Sequence, residues 1–409
     1  MKIVIVGAGP AGLTATETLR AQDNHTEIVV ISDEPYPPYS PPAMVDHFLS
    51  GSKAHLWRGE YWPEEIGVEY RSGTKVIAIE PEDHRLQLSK DGALEYDKLV
   101  IASGSRLYAP LEGADLPGVY NFKSLSAAEA LIKKIEKGNA RSALIVGAGF
   151  IGMEIALLLQ GLSVNVTQVE MLDQVMPRML DKETASFALR AMRGRGVSVR
   201  LNTKARAFTG DKKVRSVELE SGEQLEADLY IAATGVMPNV DFLEGSGIKV
   251  NTGIVVDDYL QTNIQDIFAA GDVVESSDRL TGDCFVHPIF PNAVEQGRVV
   301  GLNILGYEIS YEGADQMNSL KHLDVPIMAA GLKDGDEVLR VRRDGSLRTL
   351  YLKDNRIVGF QLIGDVHPAG VFRSLMNRKE DIRSLKDHLL EPTFGQGIAA
   401  WRAITAPRV

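Results

Sequence analysis

Two stretches of the chain share one glycine spacing, and this repetition limits the fold more than any other feature. The stretches are IVIVGAGPAG at residues 3–12 and LIVGAGFIG at residues 144–152, each an apolar run that enters a helix-like segment. Their glycines occupy matching positions: Gly7, Gly9 and Gly12, then Gly147, Gly149 and Gly152. In such a unit the first glycine makes a tight turn, the second admits a pyrophosphate, and the third lets the helix pack on the strand. Two such motifs in matching contexts predict two dinucleotide-binding units.

The sequence that follows each motif is also duplicated. A second apolar strand comes next, at residues 27–32 in the first copy and 164–170 in the second. A hairpin-like stretch then ends in an apolar strand and a glycine, Gly104 or Gly235. Strands that alternate with helices require parallel, doubly wound sheets. We therefore predict an α/β protein with two Rossmann-like dinucleotide-binding domains, which implies a bound flavin and a transient nicotinamide.

The rest of the chain divides into a return to the first unit and a third domain. Residues 261–275 form another apolar strand that ends in Gly271 and Asp272, and a helix-like segment follows. Residues 337–364 contain turn signals between alternating runs, which predicts an antiparallel meander. The sequence predicts a first dinucleotide-binding domain of residues 1–110 and 242–320, a second of residues 111–241, and a C-terminal α+β interface domain of residues 321–409.

Acidic residues after the second strand of each unit are candidate ribose ligands. In the second unit this residue is Glu170, 23 positions after Gly147. A carboxylate there would repel a 2′-phosphate, which favours NADH over NADPH, although Glu170 could also be a solvated strand end. In the first unit the acids are Asp33 and Glu34, and either could reach the ribose.

Composition excludes several classes of function. The net charge of −11 argues against a general nucleic-acid or anionic-membrane binder. The single cysteine, Cys284, permits neither an intrachain disulfide nor a thiolate metal cluster, which suits a cytoplasmic location. Met1 opens directly into an apolar strand, so we expect no signal peptide. The apolar residues 143–161 contain spaced glycines and Glu154, and they are interpreted as a buried strand and helix rather than a membrane span.

These motifs resemble those of FAD-dependent pyridine nucleotide oxidoreductases of the two-dinucleotide-binding type, over essentially the whole chain. GAGPAG is similar to the family's FAD site, GAGFIGME to its NAD(P)H site, and IFAAGD to its late FAD motif. The resemblance implies that Asp272 binds ribityl hydroxyls, that the Val76 backbone meets adenine, and that Glu154 lies near the nicotinamide. It also implies that a helix N-terminus around Glu295, Gln296 and Gly297 faces the flavin pyrimidine.

Motifs and resemblance together predict one set of cofactor-binding residues. The set comprises Gly7, Gly9, Pro10, Ala11, Gly12, Asp33, Glu34, Val76, Ala102, Gly104, Arg106, Gly147, Gly149, Gly152, Glu154, Glu170, Gly235, Gly271, Asp272 and Gln296. No side chain is required as a covalent catalyst, because the cofactor carries the redox chemistry. No metal site is predicted.

Departures from the family pattern restrict the reaction. Many relatives reduce disulfides with a cysteine pair just after the first strand–helix unit or with one redox cysteine near position 43, where this chain has PYPPYSPPAMVDHFLSG. Their C-terminal His-Pro-Thr corresponds here to Glu391, Pro392 and Thr393. Disulfide reduction is therefore not expected. The nearer branch contains ferredoxin, rubredoxin and putidaredoxin reductases and the flavin halves of nitrite reductases. That branch typically has an Arg and a Lys where this chain has Pro41 and Asp46.

Several other features have two interpretations each. Cys284 is either a flavin-proximal thiol or, as is more common, a small buried apolar residue. His287 either donates protons near the flavin or binds a partner, or it is a satisfied structural histidine, which is the interpretation we expect. The proline-rich loop at residues 35–42 either lines the flavin or spans the surface. The basic stretches at 339–348 and 372–379 either steer an acidic electron carrier or form solvated faces.

The resulting prediction is a cytoplasmic, FAD-dependent NADH oxidoreductase. Hydride transfer at flavin N5 would connect NADH with an iron–sulfur electron-transfer protein or partner subunit, of ferredoxin or rubredoxin type or in an iron–sulfur aldehyde oxidoreductase complex. One alternative is an NADH oxidase that uses O₂, and another is an FAD-binding interaction protein that responds to NADH. We expect a homodimer or a subunit of a hetero-complex, with no nucleic-acid or membrane partner.

Overall fold

The first of two parallel sheets is built from the N-terminal unit. The computed structural model describes residues 1–53, 56–59 and 61–395. This sheet has the order β19-β7-β1-β2-β3, and all its neighbours are parallel. Its strands are β1 (Lys2–Val6), β2 (Glu27–Ile31), β3 (Glu69–Arg71), β7 (Lys98–Ile101) and β19 (Ile267–Ala269). β1 and β2 are buried on both faces, which explains their continuous apolar runs.

The second parallel sheet repeats this arrangement. Its order is β12-β11-β10-β16-β9, and its neighbours are likewise parallel. Its strands are β9 (Val119–Tyr120), β10 (Ser142–Val146), β11 (Asn165–Val169), β12 (Ser198–Arg200) and β16 (Leu229–Ala232). The predicted α/β class with two Rossmann-like units is confirmed.

Each parallel sheet has an antiparallel meander attached to it. The meanders are β4 (Val76–Glu80), β5 (Arg85–Leu88) and β6 (Ala93–Glu95), and β13 (Ala205–Thr209), β14 (Ser216–Leu219) and β15 (Gln224–Glu226). Both contain a register shift in the first strand, between Val76 and Ala78 and between Ala205 and Ala207. The strands after the two units pair with each other: β8 (Ser105–Tyr108) lies antiparallel to β17 (Gly235–Pro238).

Helices cover these sheets and position the loops between them. Those of the described ranges are α1 (Pro10–Gln22), α2 (Met44–Ser50), α3 (Trp62–Ile66), α4 (Leu125–Glu136), α5 (Phe150–Gly161), α6 (Lys182–Gly194), α7 (Phe290–Ile304) and α8 (Ala369–Asn377). α7 lies close to α1, because Gly297 and Gly301 have no side chain. A Cβ at Gly297 would lie 2.3 Å from the Ala11 carbonyl oxygen. This contact brings the start of α7 beside the first glycine motif.

The C-terminal residues form an antiparallel sheet with the order β22-β23-β26-β25-β24. Its strands are β22 (Met317–Leu320), β23 (Ile327–Gly331), β24 (Glu337–Arg343), β25 (Ser346–Lys353) and β26 (Arg356–Ile363). The predicted meander is confirmed, with turns at Asp344–Gly345 and Asp354–Asn355. A small sheet of β18 (Ile254–Val255), β20 (Val274–Ser277) and β21 (Cys284–Val286) completes the fold. The predicted domain boundaries stay a prediction, and residues 396–409 lie outside the described residues.

Candidate functional site

A cleft of about 800 Å³ opens at the carboxyl ends of the first sheet. Its walls come from the first glycine loop, the proline-rich loop, the start of α5, the start of α7 and β22. Many of the predicted site residues line it: Gly7, Gly9, Pro10, Ala11, Asp33, Glu34, Ala102, Gly104, Arg106, Glu154, Gly271 and Asp272. Pro37, Pro38, Pro41 and Pro42 also line it, so the proline-rich loop faces the cleft rather than only spanning the surface.

In the first glycine motif, the middle glycine has free space beside it, whereas a side chain at either outer glycine would collide with the backbone. Gly7 has a φ of +112°, and a Cβ there would lie 2.1 Å from the Ala102 carbonyl oxygen. A Cβ at Gly12 would lie 1.9 Å from the Gly7 carbonyl oxygen. A Cβ at Gly9, by contrast, would have nothing within 4 Å. Gly7 and Gly12 are therefore required by the protein's own packing, whereas Gly9 leaves space into which a ligand fits.

The second glycine motif repeats this division. A Cβ at Gly147, whose φ is +104°, would lie 2.4 Å from the Ala233 carbonyl oxygen, and a Cβ at Gly152 would lie 2.4 Å from the Gly147 carbonyl oxygen. Gly149 again has nothing within 4 Å. Gly9 and Gly149 are the N-caps of α1 and α5, and neither helix start has a side-chain cap. Open space beside free helix N–H groups is what a dinucleotide pyrophosphate requires.

Glu170 forms hydrogen bonds with the second glycine loop and with the backbone that follows β11. Its side chain is buried, with one carboxylate oxygen accepting a hydrogen bond from the Ala148 N–H at 2.8 Å and the other from the Leu172 N–H at 3.0 Å. The alternative of a solvated strand end is therefore wrong. Because a carboxylate oxygen can accept more than one hydrogen bond, these contacts leave acceptor capacity for a ribose hydroxyl.

The structure distinguishes the two acids of the first unit. One Glu34 oxygen accepts hydrogen bonds from the Tyr39 hydroxyl at 3.2 Å and from the Ser126 N–H at 3.0 Å. Burial, together with the Glu34 charge, raises the pKa of Tyr39. Asp33 is exposed at the cleft, and its carboxylate has no hydrogen-bond partner among the described residues. Asp33 is therefore the freer of the two candidate ribose ligands.

Asp272 meets a lysine that the sequence did not indicate. One of its carboxylate oxygens accepts a hydrogen bond from the Ser105 hydroxyl at 2.7 Å and lies 2.8 Å from Lys123 Nζ. Lys123 also lines the cleft. It directly precedes Ser124, the N-cap of α4, and lies 149 positions from Asp272, so nothing local in the sequence connects the two.

Glu154 reaches the cleft from α5. Burial raises the pKa of its carboxyl group to about 7, while the charge of Lys321 lowers this pKa and that of Asp46 raises it. Glu154 has no hydrogen-bond or ion-pair partner among the described residues, so the alternative of an acid with a local partner is not supported. Its carboxyl group is free to meet a ligand.

The predicted roles of Gln296 and Val76 stay predictions, and neither residue lines the cleft. α7 begins at Phe290, five residues before Glu295, and it is these first residues of the helix that line the cleft. Gln296 is buried six residues after Phe290, where its side-chain oxygen accepts a hydrogen bond from the Gly271 N–H at 2.7 Å and its amide donates to Ser276. It thus holds the loop before Asp272. Val76 is buried in β4, and neither it nor Gly235 lines the cleft.

Other sequence-based expectations also need correction. Cys284 is exposed rather than buried. His287 is buried, and its Nε2 atom has no hydrogen-bond partner within the described ranges, so the expected satisfied histidine is not observed.

Salt bridges occupy most of the arginines in the two basic stretches. Arg340 pairs with Asp181 and Glu183, and Arg342 also pairs with Glu183. Arg348 is buried. Their charge is largely compensated within the chain.

No helix in residues 1–53, 56–59 and 61–395 combines the length and apolar character needed to cross a bilayer. Within the same ranges, no group of three or more His, Cys, Asp or Glu side chains is placed to hold a metal ion.

Two dinucleotide cradles beside a shared cleft define a class of flavin- and nicotinamide-dependent oxidoreductases. A profile described as "Pyridine nucleotide-disulphide oxidoreductase" matches residues 1–297, and the chain belongs to this family. The predicted cofactors, FAD and a pyridine nucleotide, are confirmed as those of the family. The chain is an NAD(P)H-dependent flavoprotein oxidoreductase.

Named relatives cover most of the chain. It is 31% identical to the NADH oxidase of Methanocaldococcus jannaschii over 393 residues, which span 89% of this chain and 88% of the relative. It is 30% identical to the rhodocoxin reductase of Rhodococcus erythropolis, over 89% of this chain and 85% of the relative. Among solved structures, the ferredoxin reductase for the CYP199A2 system of Rhodopseudomonas palustris superposes with a TM-score of 0.84 at 26% identity, covering 93% and 95% of the two chains.

Proposed function

We propose that this chain transfers electrons from NADH, through FAD held at the first glycine motif, to an iron–sulfur electron-transfer protein. The observation that carries the proposal is the repeated cradle, in which Gly9 and Gly149 alone of each motif leave space for a ligand. FAD, when bound, supplies hydride acceptance at N5 and one-electron release. The chain's own residues hold the two dinucleotides in position and supply the charged groups around them.

Each cradle has residues suited to its proposed dinucleotide. At the first cradle, the α1 N-terminus would hold the FAD pyrophosphate, and Asp33 would bind a ribose. Asp272, together with Lys123, would bind the ribityl chain. At the second, the α5 N-terminus would hold the NADH pyrophosphate, and Glu170 would accept from the ribose hydroxyls. A 2′-phosphate beside Glu170 would meet a carboxylate, which supports NADH over NADPH.

The proposed acceptor is a one-electron carrier. Two relatives are named for the reduction of a ferredoxin and of rhodocoxin. The one cysteine of the sequence is Cys284, so the chain has neither the cysteine pair nor the redox cysteine near position 43 with which many relatives reduce disulfides. A homodimer or a hetero-complex, and a cytoplasmic location, remain parts of this proposal.

A second candidate function is NADH oxidation by O₂, because a relative at 31% identity is named NADH oxidase. Steady-state NADH oxidation in air, with and without an artificial one-electron acceptor, separates the two. A slow rate in air that rises strongly with the acceptor supports the electron-carrier function. Full turnover in air alone would contradict it and support the oxidase.

A further inference from the structure

The end of the cleft nearest α5 carries few charged groups. It is formed by Phe150, Ile151 and Ile155 of α5, by Met44 and Val45 of α2, and by β22. Of the described residues that line this end, Glu154 is the carboxylate and Lys321 the cation. Lys321 follows β22, so it reaches the cleft from the C-terminal sheet rather than from either parallel sheet.

A carboxylate on α2 holds this lysine in place. One oxygen of Asp46 lies 2.7 Å from Lys321 Nζ, and the other lies 3.6 Å from His322 Nε2. Asp46 does not line the cleft, whereas Lys321 does. Asp46 thus forms an ion pair with Lys321, a residue of the cleft wall.

The charge of Lys321 is effective inside the cleft. Of the charged groups near Glu154, Lys321 has the largest influence on its pKa, and it lowers that pKa against the effect of burial. A cation that favours the charged form of a buried carboxylate also favours other negative charge in the same space.

Hydride transfer brings such a charge to the proposed flavin site. One C–H bond of NADH breaks and one N–H bond forms at N5, so the nicotinamide becomes NAD⁺ and one negative charge reaches the flavin until solvent supplies a proton. We propose that Lys321, anchored by Asp46, is the cation of the redox site and stabilises this charge. This inference rests on the proposed function.

The other cations that line the cleft, Arg106 and Lys123, are paired as well, but neither of them influences the pKa of Glu154. Arg106 bonds to Asn239 and pairs with Asp241. Lys123 pairs with Asp272. Lys321 is therefore the described lining cation that is placed beside Glu154, where the resemblance puts the nicotinamide.

The flavin midpoint potential tests this role, measured during stepwise reduction beside a reference dye. Lys321→Met should make reduction at least tenfold less favourable, equal to about 30 mV more negative for a two-electron couple. Lys321→Arg should keep the wild-type potential, and Lys321→Gln should repeat the shift seen with methionine. The control is Lys204→Met, because Lys204 is 52% exposed, Lys321 is 53% exposed, and each pairs with an exposed carboxylate.

The failure of this inference can be distinguished from the failure of the proposed function. If the wild-type protein binds no FAD or is not reduced by NADH, the proposed function is wrong. If the wild type is reduced but Lys321→Met and Lys321→Gln hold FAD at the wild-type potential, this inference alone is overturned. A shift of the same size in Lys204→Met would also overturn it, because the effect would then belong to any surface ion pair.

Discussion

Replacing Gly149 with alanine tests the second cradle without disturbing the fold. The backbone at Gly149 has φ −74° and ψ −178°, an extended conformation that alanine adopts freely. The new Cβ would meet no protein atom within 4 Å. Alanine reduces the entropy of the unfolded chain but is a poorer N-cap than glycine, so the two effects oppose each other and stability should change by less than about 1 kcal/mol.

The free energy of nucleotide binding should change much more than the free energy of unfolding. The methyl group would occupy the space where the pyrophosphate approaches the α5 N-terminus, and at least one hydrogen bond from a backbone N–H to a charged oxygen would be lost. Such a bond contributes about 1.5–3 kcal/mol, which corresponds to roughly 10- to 150-fold weaker binding.

Titration calorimetry with NAD⁺ measures this loss directly, since NAD⁺ cannot reduce the flavin. The matched control is Gly9→Ala, which should weaken FAD retention by a similar factor and leave the second cradle intact. If Gly149→Ala binds NAD⁺ as tightly as the wild type, or if it loses FAD instead, the assignment of the two cradles is refuted.

Three further substitutions have defined outcomes. Because burial raises the pKa of Glu154 to about 7, its carboxylate destabilises the fold as the pH rises above the ordinary value for glutamate. Glu154→Gln should therefore gain up to roughly 3 kcal/mol of unfolding free energy relative to the wild type between pH 5 and pH 8, measured by urea denaturation. Met171→Arg, at a side chain 57% exposed beside Glu170, should raise kcat/KM for NADPH about tenfold by pairing with the 2′-phosphate, with an unchanged melting temperature. Lys123→Met should weaken FAD binding at least tenfold in a fluorescence titration, because Asp272 would lose its cation, and Lys123→Arg should retain most of the affinity. Unchanged pH dependence, cofactor preference or FAD affinity would contradict the respective role.

The features predictable from the sequence are those set by local backbone geometry. Gly7 and Gly12 are needed because a Cβ would collide with backbone oxygens, and that need leaves a spacing that can be read directly. The strands β1 and β10 are apolar on both faces because helices and meanders cover the parallel sheets. The duplication then fixes the fold class.

What the sequence could not provide depends on contacts between distant segments. Lys123 and Asp272 are 149 positions apart, and Asp46 and Lys321 are 275 positions apart. The structure favours Asp33 over Glu34 as the ribose ligand because Tyr39 and Ser126 donate hydrogen bonds to Glu34. These contacts exist only in the folded chain.

The pairing of the basic residues in β24 and the exposure of Cys284 likewise depend on the folded structure. The basic residues of β24 suggested a docking face, but the N-terminal end of α6 supplies the carboxylates that neutralise them. Cys284 was expected in the interior because cysteine is commonly buried, yet it lies on the short strand β21, where it is exposed. Local pattern could not predict either arrangement.

The proposed function requires that one chain holds FAD and accepts a hydride from NADH at a second site. An anaerobic titration of the purified protein with NADH, followed by the flavin absorbance, measures this transfer. One equivalent of NADH should bleach the flavin, and a ferredoxin-type acceptor should restore its absorbance. A protein that is purified without flavin and cannot be loaded with FAD, or whose flavin NADH does not bleach, would rule out the proposed function.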